Sequence, residues 1–246
     1  MTAMVNDLPA GSEGPPEALS RPPASLLRRV PRQERGRERV GRILDAAATV
    51  IAEVGVDTMT TNAIAARAST SVGSLYQFFP NKEAIVEALA ARYNTELRHI
   101  NESAMSSEAT FLPMAELVER IITPLLRFHE ANPAYRHVYH AMNGPDGPSC
   151  GEAELHKAVV TRLEHVLETR APTMPAEQRH IHATVAVLTV HALLGFSMTA
   201  SPSMRDGIVR EVKRLMVSYM EDAIARRTAV PRHSLTPTID NGFAEA

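Results

Sequence analysis

The sequence predicts an all-α protein built from a small N-terminal three-helix unit, a linker helix and a larger C-terminal helical domain. Three observations predict it. Apolar residues recur at helical spacing from Val40 to Met220, no alternating run longer than chance marks a strand, and good helix caps stand where the periodic runs begin. At 246 residues, 44% of them apolar, the chain has material for one large domain or two small ones.

Residues 1–33 are rich in Pro, Gly, Ala and Ser without periodicity, which predicts a disordered segment. Charge is uneven along the chain. The net charge is −2, yet residues 21–42 hold eight Arg against two Glu, a net of plus six. Positive charge gathered before the first helices suits a nucleic-acid binder better than a generic enzyme. Arg28, Arg29, Arg32 and Arg35 fit an arm along phosphates or in a minor groove, and equally a solvated tail. The single Cys150 excludes a disulfide within one chain, and Met1 to Ser20 has no apolar run of the signal-peptide kind, so the cytoplasm is the expected compartment.

Helix is expected from Glu34, with Val40, Ile43, Leu44, Ala47, Val50, Ile51 and Val54 on one face and Gly55 ending it as a left-handed cap. Thr60 caps a second helix carrying Ile64, Ala65 and Ala68, which breaks at Ser69-Thr70. Ser71 caps a third, stopped by Pro80, and Asn81 caps a fourth that opens on Lys82. The third helix is about seven residues, roughly 10 Å long. A helix so short is held by its neighbours or not at all. Ile64, Leu75 and Phe79 are the side chains expected to hold it, which leaves its other face free to enter a DNA major groove.

The run A-S-T-S-V-G-S-L-Y-Q-F-F-P-N-K, Ala68 to Lys82, resembles the helix-turn-helix signature of the tetracycline-repressor (TetR) family. Ala68, Ser71, Gly73, Leu75, Tyr76, Phe79, Asn81 and Lys82 match directly, Ser74 and Phe78 conservatively. Ser69 and Thr70 depart from it, standing where the family has Gly and Val. The resemblance implies a DNA-binding domain over 34–82 and a ligand-binding and dimerisation domain over 83–228; the tail over 229–246, with Pro231 and Pro237, is expected to be disordered. It also implies roles at the DNA: Tyr76, Lys82 and Thr60 or Thr61 on phosphates, Val72, Ser74 and Gln77 facing bases, Ser71 at the helix start, and Gly73 letting the backbone approach. Asn62 and Arg67 are read as a solvated face.

The fourth helix, Asn81 to about Ile100, has a stripe of Ile85, Leu89, Tyr93 and Leu97 and reads as a rod leading away from the reading head. Ser103 to Thr110 is small and polar, hence a loop. Further helices are expected at Met114–Ala131, Pro133–Met142, Glu152–Ala171, Pro175–Ala200 and Ser203–Arg227. Ala183–Ala200 has no formal charge. A membrane span of about 20 apolar residues was weighed against it, but His191, Thr184, Thr189, Ser197 and Thr199 dilute the segment and no further span accompanies it, so no membrane is expected. The last helix shows a broad stripe of Ile208, Val209, Val212, Leu215, Met216, Tyr219 and Met220. By resemblance these last two helices, about 175–200 and 203–227, form a homodimer interface.

The effector pocket is the least legible part. Met114, Leu117, Ile121, Leu125, Phe128, Tyr135, Tyr139, Met142 and His165 are candidate lining residues, though such a stripe is as readily plain core. His137 with His140 and His180 with His182 invite a metal, but no third ligand stands at a telling spacing, so neither metal nor cofactor is expected. No neighbouring base marks Cys150 as a redox switch. The expected function is a dimeric repressor released from a palindromic double-stranded DNA operator by an unknown small-molecule effector. A DNA-binding regulator answering to a protein partner, or constitutive, is the alternative. A helical enzyme is disfavoured by the lack of a phosphate loop, nucleophile motif or ligand set.

Overall fold

The computed structural model describes residues 34–143 and 150–228. The expectations for residues 1–33, with Arg28, Arg29 and Arg32, for the segment 144–149 and for the tail after 228 lie outside the described residues. The order is α1 (Glu34–Thr58), α2 (Thr61–Arg67), α3 (Val72–Phe78), α4 (Lys82–Ala104), α5 (Met114–Ala131), α6 (Tyr135–Met142), α7 (Cys150–Arg170), α8 (Ala176–Ser197) and α9 (Pro202–Thr228). There is no strand among the described residues, and the all-α expectation holds.

Three caps form as the sequence foretells. Thr60, Ser71 and Asn81 each accept from the backbone N–H three residues on, at 3.1, 3.0 and 2.8 Å, and satisfy donors that a helix start leaves unpaired. Two boundaries differ. Gly55 does take positive φ, but its ψ of 170° is extended rather than left-handed helical, so the chain turns and resumes helix through Thr58. Val54, beside this break, turns outward and is exposed instead of joining the apolar face. The expected loop at Ser103–Thr110 is partly helical: α4 continues to Ala104, and Glu108–Phe111 makes a 3-10 turn whose Ala109 and Thr110 are buried.

Two cores result. The first joins α1 to α4 and takes Phe128, Tyr135, Val138 and Leu155 from later helices. Ile64, Leu75 and Phe79 are wholly buried in it, which is how a seven-residue α3 is held. An Arg92–Asp45 contact of 2.6 Å adds a tie between α4 and α1. The second core lies among α5, α7, α8 and α9, with Leu117, Ile122, Leu167 and Ala183 at its centre. α6 packs on both α1 and α4 and so touches the head directly.

The turn between α2 and α3 explains its own departure from the signature. Thr70 N–H donates to Ala65 O (2.9 Å) and Ser69 N–H to Ala66 O (3.2 Å), the paired bonds that close a helix around a left-handed residue. That residue is Ser69, at φ 51°. An L side chain costs about 1–2 kcal/mol in this region, partly offset by the stiffer unfolded chain relative to Gly. Ser69→Gly is therefore expected to stabilise the protein by about 0.5–1 kcal/mol in urea unfolding; a loss of stability would sink this account of the turn.

Candidate nucleic-acid interface and interior cavity

Because Leu75, Phe78 and Phe79 point inward, the opposite side of α3 is presented to solvent: Gly73, Tyr76 and Gln77 are exposed, and Val72 and Ser74 half-buried. The Tyr76 hydroxyl lies 3.3 Å from Thr61 Oγ1, so two expected phosphate contacts form one polar patch. Lys82 Nζ donates to Asp57 O (3.3 Å), which parks the ammonium at the end of α1. A Cβ built on Gly73 meets nothing within 4 Å and its φ is not positive, so no protein contact requires glycine there. Thr60 and Ser71 are exposed and spend their hydroxyls as helix caps.

One residue at this face escaped the sequence reading. Arg39, on the first turns of α1, donates to Ser74 Oγ at 3.4 Å and brings a guanidinium onto the reading helix. Its proximity to α3, 35 residues on, leaves no mark in local spacing. Arg67 is instead tied to Glu53 at 2.8 Å, an exposed pair of the kind worth under about 1 kcal/mol.

Below the head, residues of α4 to α9 line a cavity that opens to solvent. Its mostly apolar walls with a few polar groups are the composition of small-molecule sites. Of the candidate lining residues, Met114, Leu117, Ile121, Leu125 and Tyr135 lie in its wall. The other four candidates stand elsewhere. Phe128 is buried in the first core, T-stacked on Tyr93; Met142 packs against that core from outside. Tyr139 stacks on His191 at 4.7 Å without lining the cavity, and His165 points to solvent beside Glu168. Helical phase decides the last case: on α7 it is Leu163, two residues before His165, that faces inward.

The walls are mostly aliphatic, with a polar corner made by His129, Glu152, His156 and His191. Burial pushes the His129 and His191 imidazoles down to about 4, and lowers His156 as well, so all three are neutral near pH 7. Burial pushes the Glu152 carboxyl up to about 7. Sequence spacing missed this corner, although Glu152 and His156 are four residues apart on one helix. Of the His pairs it considered, the second is occupied otherwise: His180 contacts Glu164 at 2.6 Å, and His182 contacts the Tyr219 hydroxyl at 2.9 Å.

A capped three-helix head with an exposed seven-residue third helix, set on a larger helical domain, is the architecture of a helix-turn-helix regulator of transcription. Family models bear this out. "Bacterial regulatory proteins, tetR family" matches residues 43–89 and "Tetracyclin repressor-like, C-terminal domain" matches residues 113–220, together more than half of the chain. The chain belongs to the TetR family and is a DNA-binding transcriptional regulator. It is 28% identical over 122 residues to the HTH-type transcriptional repressor KstR of Mycobacterium tuberculosis, a match spanning 49% of this chain and 55% of that protein. Its fold is similar to that of a TetR-like transcriptional regulator from Rhodococcus sp. RHA1, at TM-score 0.59 and 20% identity, covering 80% of this chain and 99% of the other. It is also similar to SmeT of Stenotrophomonas maltophilia in a complex with triclosan, at TM-score 0.57 and 19% identity, covering 81% and 98%.

The buried His129 makes stability depend on pH. Its folded value is about 4 against an ordinary 6.5, so between these pH values the unfolded chain binds a proton that the folded chain refuses. The stability it leaves intact above pH 6.5 falls as pH drops, by about 1.4 kcal/mol per unit. Glu152 opposes it, since its folded value of about 7 against 4.5 makes the folded state hold the extra proton. The difference between chains isolates His129: His129→Leu should flatten the acid limb of unfolding free energy between pH 6 and 4.5, and an unchanged limb would show that His129 is not held neutral.

Proposed function

We propose that this chain is a homodimeric repressor that reads a palindromic operator with α3 and is released from it by a small apolar effector bound in the cavity. The division into a reading head at 34–82 and a ligand-binding and dimerisation domain at 83–228 belongs to this reading, as does action in the cytoplasm, where the operator lies. Gly73 is the observation that carries the DNA contact. A glycine inside a helix weakens it by about 0.5–1 kcal/mol relative to Ala, and nothing inside the protein asks for that sacrifice. Close approach of a DNA backbone does. Tyr76, Thr61, Thr60 and Lys82 then meet phosphates, Ser71 sits at the helix start, and Val72, Ser74 and Gln77 face base edges. Arg39 joins them from α1.

The dimer rests on an uncovered apolar face. Ile181, Val185, Leu188 and Phe196 of α8 are exposed at helical spacing, and Met204 and Leu215 of α9 are exposed too. α8 is long and apolar enough to cross a membrane, but its inner face packs on α7 and α9, and a second copy of the same two helices is the simplest cover. One short helix reads few base pairs; two heads about 34 Å apart read a palindrome.

Release follows from Tyr135. It lines the cavity, and its ring stands 5.6 Å from Tyr93 on α4 and 5.0 Å from Phe128, inside the core of the head. Its helix α6 packs on α1, where His137 Nδ1 lies 3.9 Å from the Cβ position of Gly55. An effector that displaces Tyr135 therefore moves the head and changes the spacing that the operator selects. SmeT with triclosan supports small-molecule binding in this fold.

Selection of bound sequences from a random DNA pool at about 0.15 M salt, where non-specific phosphate binding is weak, tests the reading. A palindrome is expected; sequence-independent, salt-labile binding alone overturns it. On the recovered operator, Gly73→Ala should raise the unfolding free energy by about 0.5–1 kcal/mol and yet weaken binding. Tyr76→Ala should weaken all DNA binding and flatten its salt dependence, whereas Gln77→Ala should alter sequence preference; equal losses on operator and random DNA remove the base-reading role of Gln77. For the interface, Leu188→Glu should shift the chain from dimer to monomer in analytical ultracentrifugation with its helicity intact, and a dimer that survives this change places the interface elsewhere.

A further inference from the structure

The polar corner of the cavity has the composition of a metal site. Glu152 and His156 are one turn apart on α7, so both project from the same face. His191 faces them from α8. One ligand atom from each lies within 4.8 Å of the others. Glu152 Oε1 and His156 Nε2 are 3.5 Å apart, and the two imidazole rings meet edge to face at 5.3 Å.

Three features say what would bind. Two imidazoles and one carboxylate are the donor set of first-row divalent ions such as Zn²⁺; Mg²⁺ and Ca²⁺ ask for oxygens throughout. At metal–ligand bonds of about 2.0–2.1 Å, tetrahedral donors stand about 3.4 Å apart, so the Glu152–His156 separation already suits an ion and the widest separation closes with a modest side-chain rotation. Finally, His156 Nε2 is buried and makes no hydrogen bond.

We propose that Glu152, His156 and His191 bind one zinc-class divalent ion per chain, leaving a coordination position open to the cavity. Three protein ligands with a free fourth place is the arrangement that admits water or a donor atom of a small molecule. All three residues line the cavity together with Val159, Val187 and Val190, so whatever occupies that position enters an otherwise apolar space. The ion is then part of the cavity wall, and it fixes α7 to α8. The site stands independently of operator binding.

The test uses the full chain without an affinity tag, stripped with a chelator and titrated with Co²⁺. Intense visible bands of a low-coordinate cobalt centre should saturate at one equivalent per chain and be displaced one for one by Zn²⁺. Glu152→Gln and His191→Leu should each abolish them, while His180→Ala, on the protein surface, should leave them unchanged. Absence of a stoichiometric band in the parent chain overturns the site, and so does a band that persists in both ligand variants. X-ray absorption of the zinc-loaded parent needs no variant and decides the matter if those chains fail to fold. Two imidazoles and an oxygen at about 2.0–2.1 Å are expected; a first shell with no imidazole pair, or with sulfur, overturns the assignment.

Discussion

Helix α4 carries one apolar stripe, all of it in the first core, that serves both the head and the cavity. Ile85, Leu89, Tyr93 and Leu97 follow one another at intervals of four and are all buried. The early part of the stripe closes the reading head, and Leu97 with Asn101 forms a wall of the cavity. At 23 residues the helix is about 34 Å long, stiff on the scale of the whole chain. Packed interiors shift between discrete arrangements instead of yielding gradually, so displacement at one end of such a rod is felt at the other. Tyr93 is where the two meet: it is 1% exposed, with Phe128 and Tyr135 set edge-on against it.

The head shows a compromise between folding and contact. Its three apolar anchors, Ile64, Leu75 and Phe79, give it a firm interior, and its caps satisfy the free ends of very short helices. Against these stand Ser69, held in a conformation that favours glycine, and Gly73, a glycine where the protein alone would do better with alanine. The two have different origins. Ser69 answers the geometry of the turn, whereas Gly73 faces outward, where a Cβ would meet no protein atom within 4 Å.

The cavity shows how uneven legibility can be within one site. Met114, Leu117, Ile121 and Leu125 share a helix face and could be taken together from their spacing. Phe128, one turn further on, belongs to the other core because α5 passes from one to the other along its length. His165 failed for phase, being two residues from Leu163 on α7. The pair Glu152 and His156 was present at the right spacing, yet a pair is not a site, and its third member lies on another helix.

By itself the sequence determined the local matters: nine helices among the described residues, their caps, the reading helix and its signature, and the apolar stripes that choose which faces are buried. Such features depend on residues within a turn or two of each other, where spacing fixes geometry. Only the tertiary structure decided the encounters between distant segments. It set Arg39 against Ser74, 35 residues on, and Tyr135 against Tyr93. It left one face of α8 bare, and it brought His191 to Glu152 and His156. Those meetings depend on how helices cross, and crossing is settled by the fit of whole surfaces rather than by any run of residues.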